Sequence, residues 1–295
     1  WGNSLSPYWQ ARAMSFLGHL KFKAAFTGSS GSSTWMKHLP RAADALSVKE
    51  RRALGMPAPT SEMFDRACCG CDNPQDWEFS HGCQGSWVYI RPIMQRDGKA
   101  AVERYILENE LEITKPEPTD LVVYDRCAID TLLDHTYHGP LAFSFFDRAR
   151  NTVESLDSVK RVIIGGQKKQ GACALLQQAM VKAIKERLLK GKPDVPVIVK
   201  PQGSIFDDFA YLFYAPRLLV ASTGSSWAQW IGMMSSGEVW LPPMPNWPST
   251  VQDFDLQGMP GAKPAHFINS PWLRPALKKT HNVTLDNFVE WLENN

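Results

Sequence analysis

Residues 216–242 read PRLLVASTGSSWAQWIGMMSSGEVWLP. Residues 217–221 (RLLVA) are short, apolar and β-prone, the composition of a strand buried on both faces of a parallel sheet. They run into Ser222-Thr223-Gly224-Ser225-Ser226 and then into residues 227–234, whose apolar spacing is helical. Small hydroxyl residues around a glycine at a strand-to-helix junction leave backbone N–H groups free at the helix start. With the hydroxyls and the positive end of the helix dipole, those groups make an anion site. An ordinary N-cap at Ser225 or Ser226 uses the same residue types, so the choice between the two rests on the rest of the chain.

Outward from this stretch the pattern is regular. Residues 161–164 (RVII), followed by Gly165-Gly166, read as a strand and turn. Residues 171–189 read as a long helix, 196–199 as a strand, 205–214 as a helix and 239–241 as a further strand. Alternating strands and helices predict an α/β fold with a doubly wound parallel sheet, which takes its ligands at the carboxyl ends of the strands. Gly165-Gly166, Gln202-Gly203 and residues 222–226 all fall at such ends. A terminal helix is expected near 285–292.

Before residue 150 the reading is less regular. Ser6-Pro7 is a cap-and-proline helix start leading to about His19. Residues 21–26 alternate as a strand, 27–33 form a Gly/Ser loop, and 42–54 read as one charged helix. Residues 85–113 hold one or two helices, and 121–124 (LVVY) form a strand that ends on Asp125-Arg126-Cys127. A helix is expected after Phe143. Cys68, Cys69, Cys71, His81 and Cys83 invite either a disulfide-tied loop or a zinc site, although their spacing is not that of a standard ligand set.

The chain has 295 residues, of which 44% are hydrophobic, and a formal net charge of +2. That is enough for one large or two ordinary domains, and it gives no general argument for nucleic acid or membrane partners. No apolar run is long enough to span a bilayer. An even count of six cysteines and the acceptor triplet Asn282-Val283-Thr284 both point to a secretory compartment, with the cytoplasm as the alternative. No G-x-G-x-x-G follows any expected strand, which disfavours a dinucleotide-dependent oxidoreductase.

Arg126 stands just past a buried-type strand, and the serine-rich loop stands past another. Facing each other across a cleft, they would clamp a diphosphate. The chain resembles the GT-B glycosyltransferases of the fucosyltransferase superfamily, the α1,2-, α1,6- and protein O-fucosyltransferase group. Gly2-Asn3 and the helix after them resemble that group's G-N-Q opening, with Ser4 in place of the glutamine. Residues 121–130 resemble its H-x-R-x-x-D strand end, with Tyr124 at the histidine position and Asp130 one residue late. Phe206-Asp207-Asp208-Phe209, Ala215, Ser222, Ser225-Ser226 and Trp227 resemble its closing D-F…A…S-x-S-S/T-F/W motif.

The resemblance implies two Rossmann-like lobes, an acceptor-side lobe over 1–150 and a nucleotide-sugar lobe over 151–295. It implies metal-independent, inverting transfer of fucose from GDP-fucose to a glycan or glycoprotein hydroxyl, in the Golgi lumen and with any membrane anchor outside this chain. Other UDP- or GDP-linked donors, and a catalytically inactive binding module, are the alternatives. By carry-over, Arg126 binds the β-phosphate and offsets charge on the leaving diphosphate. Ser222, Ser225, Ser226 and the Trp227 backbone hold the same phosphates. Asp208 accepts from the base or from nearby backbone, and Gly2 and Asn3 approach the donor through main-chain groups. Asp130 is the first candidate base, ahead of Asp125, His135 and His138. Trp9, Trp35, Trp77 and Trp87 are candidates to line an acceptor groove. One disulfide within 68–83 and one joining Cys127 to Cys173 complete the expectations.

Overall fold

The computed structural model describes residues 2–24, 34–67, 86–127, 139–165, 171–223, 225–243, 255–268 and 282–295. The chain enters through helix α1 (Gly2–Leu17), which starts before Pro7 rather than at it. An interior proline removes one helical hydrogen bond and crowds the carbonyl four residues back. Burial of Leu5, Trp9, Ala13 and Phe16 along the same helix offsets that cost. Strand β1 (Phe22–Lys23) pairs antiparallel with β2 (Ala42–Ala43). The single helix expected over 42–54 is therefore divided, and α2 spans only Val48–Ala53. Ser47 sets its start: the Ser47 hydroxyl accepts from the Glu50 N–H at 3.2 Å, and the Ser47 N–H donates back to the Glu50 carboxylate at 2.8 Å. Helix α3 (Ser61–Ala67), a 3₁₀ turn at Ser86–Ile90 and helix α4 (Arg91–Glu108) follow.

From β3 (Asp120–Tyr124) onward the chain alternates as expected. It runs through β4 (Gly139–Pro140), α5 (Ser144–Thr152), β5 (Arg161–Gly165) and α6 (Ala172–Ala183), the last extended by a π-helical turn at Ile184–Leu188. Then come β6 (Val197–Val199), α7 (Ile205–Phe213), β7 (Arg217–Val220) and β8 (Ser222–Thr223). Helix α8 (Ser226–Met234), β9 (Glu238–Leu241), β10 (Asp255–Leu256), β11 (Ala265–Phe267) and α9 (Phe288–Asn294) complete the order.

The main sheet is ordered β10-β11-β9-β7-β3-β5-β6, parallel throughout except for β10. Counted in chain order, its six parallel strands stand 3-2-1-4-5-6, a doubly wound arrangement whose direction of travel reverses between β3 and β7. Side chains alternate across it. Val122, Tyr124, Leu218, Val220 and Val239 face one core with α1, α4, α7 and α8. Leu121, Val123, Val162, Leu219 and Trp240 face the other, with α5, α6 and α9.

The helices of residues 2–119 thus form a layer on one face of this sheet. Both α1 and α4 pack against α8, and the Trp35 ring stacks on Phe209 at 4.8 Å. Gln95 of α4 donates to the Ser235 carbonyl and accepts from the Met259 N–H, both at 2.7 Å. Buried Arg91 donates to the Leu256 and Lys263 carbonyls, and desolvation lowers its pKa to about 10. Among the described residues there is one parallel sheet. The boundary expected at residue 150 falls between β3 and β5, which pair along their whole length from Asp120↔Arg161 to Tyr124↔Gly165. No described helix is long and apolar enough to cross a membrane.

Candidate functional site at the strand-order reversal

Strands β3 and β7 are neighbours in register, with Tyr124 opposite Val220, and their carboxyl ends open at the reversal point. Arg126 and the serine loop therefore meet on adjacent strands of one sheet, not across a cleft between two lobes. The Ala221 N–H donates to the Tyr124 carbonyl at 2.8 Å, carrying the pairing one residue past β7. The Arg126 N–H donates to the Ser222 hydroxyl at 3.3 Å. Beyond them β4 and β8 form a short antiparallel ladder, Gly139↔Thr223 and Pro140↔Ser222.

Ser225 occupies the N-cap position of α8, yet its side chain makes no capping hydrogen bond. Its hydroxyl turns instead to the Tyr124 phenol at 3.5 Å, the long limit for such a bond. Ser222 and Ser225 are both fully buried, and Ser226 and Trp227 are half-buried. The Tyr124 ring lies 5.4 Å from that of Trp227. Burial pushes the Tyr124 phenol up to about 12; the Ser225 hydrogen bond and Arg126 pull it down, while Asp125 and Asp208 push it further up. Tyr124 is therefore a neutral hydroxyl at physiological pH, and all four of these side chains act on it.

A second cation flanks the site. Lys200, directly after β6, places its ammonium 2.7 Å from Asp208 Oδ1 and 5.1 Å above the Tyr211 ring. The Gly203 N–H donates to the same Asp208 oxygen at 3.3 Å. Asp207 is engaged otherwise, in a reciprocal capping box with Ser204. Lys200 escaped the sequence reading; the signal available was a lysine immediately after a strand. Beneath Arg126, Cys127 is bridged to Cys173 in the first turn of α6, and both are buried.

Of the expected site residues, Arg126, Ser222, Ser225, Ser226 and Trp227 come together here. Asp208 lies at the N-terminal end of α7, tied to Lys200 and to backbone. Gly2 and Asn3 open α1, the helix packed on α8. Asp130, His135 and His138 lie outside the described residues, as do Trp77 and the cysteines of 68–83. Asp125 is 1% exposed at the end of β3. Trp9 and Trp35 are wholly buried core residues and line no groove. Trp87 falls in the 3₁₀ turn at Ser86–Ile90. The sequence holds one D-x-D triplet, Asp253-Phe254-Asp255. Asp253 and Phe254 are outside the described residues, and Asp255 opens β10 at the sheet edge, with β11, β9 and β7 between it and β3. No three His, Cys, Asp or Glu side chains converge as metal ligands among the described residues.

Comparison with protein-family models, curated proteins and solved structures finds no match. The geometry itself offers main-chain donors at a nine-residue helix start, an arginine beside them and a buried neutral phenol, a donor-rich set suited to an oxyanion.

Proposed function

We propose that the chain is a nucleotide-sugar-dependent glycosyltransferase whose donor diphosphate sits over the N-terminus of α8. The observation that carries this reading lies at the start of α8: Ser225 holds the N-cap position but its side chain makes no capping hydrogen bond and turns to Tyr124, so the positive end of the helix dipole faces the site without a capping side chain over it. Arg126 supplies the charge that offsets the departing diphosphate, and the Ser222, Ser225 and Ser226 hydroxyls with the Trp227 N–H orient it. Asp130 takes the proton of the acceptor hydroxyl, and Lys200 holds Asp208 in place beside the site. The carboxyl ends of β3 and β7 hold the donor, and the helical layer over 2–119, packed on one face of the sheet, is the acceptor side. GDP-fucose is the first donor to test. The buried Cys127–Cys173 bridge fits an oxidising, secretory setting.

Calorimetric titration with GDP, UDP and their sugars tests the reading. Binding of a nucleoside diphosphate is expected, with Arg126→Ala weakening it about 10- to 100-fold, the loss of about 1.5–3 kcal/mol from a charged hydrogen bond. The variant should unfold at the wild-type temperature and show no transfer. Absence of nucleotide binding by the wild type, or full turnover by the variant, overturns the proposal. One observation favours a second reading, a catalytically inactive nucleotide-sugar-binding module: the position of the motif histidine is filled by Tyr124, buried and neutral. Binding without donor hydrolysis or transfer to any glycan selects that alternative.

A further inference from the structure

We infer that Asn282 carries an N-linked glycan. Asn282-Val283-Thr284 is the one N-x-S/T triplet in the 295 residues, and its central residue is not proline. The triplet fixes only the acceptor; whether a sugar can be borne there depends on what the fold does with the side chain. Val283 is 1% exposed and anchored in the core shared by α5, α6 and α9. Alternation about that anchor turns both flanking residues outward, and Asn282 and Thr284 are exposed. The turn is held from within: the Thr284 N–H donates to Asn287 Oδ1 at 2.7 Å, and the Asp286 N–H donates to the Thr284 hydroxyl at 3.3 Å. A sugar on Asn282 Nδ2 therefore projects into solvent without disturbing a buried contact of Val283. That core lies on the sheet face opposite α7 and α8, so the glycan leaves the α8 side uncovered.

The second observation concerns compartment. Cys127 and Cys173 are joined, and such bridges persist where thiols are oxidised, which includes the lumen where N-glycans are attached. In the transfer, the Asn282 Nδ2–C1 bond forms and the C1–O bond to a lipid-diphosphate-linked oligosaccharide breaks. The lipid diphosphate leaves with the bonding electrons, and the amide loses one proton to the transferase's base.

Asn282 also has φ +52°, a left-handed conformation that asparagine adopts more readily than most residues. That conformational role alone would explain the residue without any sugar, and the variants separate the two. The full chain should be secreted from a eukaryotic host, its intact mass measured before and after peptide N-glycosidase, and Cys127–Cys173 pairing read from a non-reducing peptide map. The expected result is a glycosylated wild type whose Asn282 becomes Asp on enzyme treatment. Thr284→Ser should retain the sugar, whereas Thr284→Ala and Asn282→Asp should lose it, the latter keeping a side chain suited to the turn. A secreted wild type at bare polypeptide mass, bridged or not, overturns the inference, as does a glycan that survives Asn282→Asp.

Discussion

Replacing Cys127 and Cys173 together with alanine should remove about 4 kcal/mol of stability. The bridge closes a loop with a sequence separation of 46. The chain-entropy relation gives roughly 13 cal/mol/K for a loop of that length, which at 25 °C is about 4 kcal/mol of denatured-state entropy restored when the bridge is cut. Both sulfurs are buried, at 6% and 4% residue exposure, so a reductant reaches them chiefly through opened states. Reduction should accordingly be slow in buffer and accelerate in subdenaturing urea. The assay compares urea unfolding of oxidised wild type, reduced wild type and the Cys127→Ala/Cys173→Ala variant, with free energies from linear extrapolation. The two unbridged proteins should agree within about 1 kcal/mol, because alanine differs from a buried thiol by little volume, and both should lie well below the oxidised form. A common midpoint for oxidised and reduced protein would refute the reasoning. So would a variant far weaker than reduced wild type, since packing rather than cross-linking would then account for the loss.

Other consequences are equally open to measurement. Gly232→Ala places a Cβ 2.8 Å from Val239 Cγ1 and 3.2 Å from Leu241 Cδ2, where α8 lies on β9. Overpacking of this kind should cost about 1–3 kcal/mol, read as a lower Tm; an unchanged Tm would argue against that close approach. Burial raises the Tyr124 phenol from 10.0 to about 12, so the folded protein holds this proton more tightly than the unfolded chain. Its contribution is complete below pH 10 and is lost as pH rises through about 12, a fall of up to about 3 kcal/mol. Tyr124→Phe should reduce that alkaline limb in urea midpoints without abolishing it, because burial also raises Tyr8, Tyr211 and Tyr214. An identical alkaline limb in the variant would show that the phenol titrates normally.

Much of the sheet was legible because its strands announce themselves locally. Leu121 to Tyr124, Arg161 to Ile164 and Val239 to Leu241 are apolar runs between turn residues, and each lies within one residue of the observed strand. What no local pattern carries is which strands lie side by side. Pairing of β3 with both β5 and β7 makes the 3-2-1-4-5-6 order, and it brings Tyr124 to Ser225 across 101 residues of sequence. The same non-local step places α1 and α4 on this sheet rather than on one of their own. The division of residues 42–54 was misread because charged residues spaced for a helix mask the Ser47 capping box, whose effect appears only when Glu50 turns back. At the site, the hydroxyls and Arg126 were readable as residue types. The turn of Ser225 away from its helix was not, because it depends on a phenol delivered by another strand.

Placing the helical layer of residues 2–119 against α8 also sets an order of events during synthesis. Trp9 and Trp35 leave the ribosome well before Phe209 and Trp230 exist to cover them, and β3 must wait for β7, almost a hundred residues later, to gain its second neighbour. The nascent amino-terminal two-fifths of the chain therefore carries an exposed apolar surface through most of translation. Contacts of such long sequence separation form slowly, and transiently bare surfaces invite chaperone capture. The carboxyl ends of β3 and β7, resting on that late pairing, come together only after most of the chain has been made.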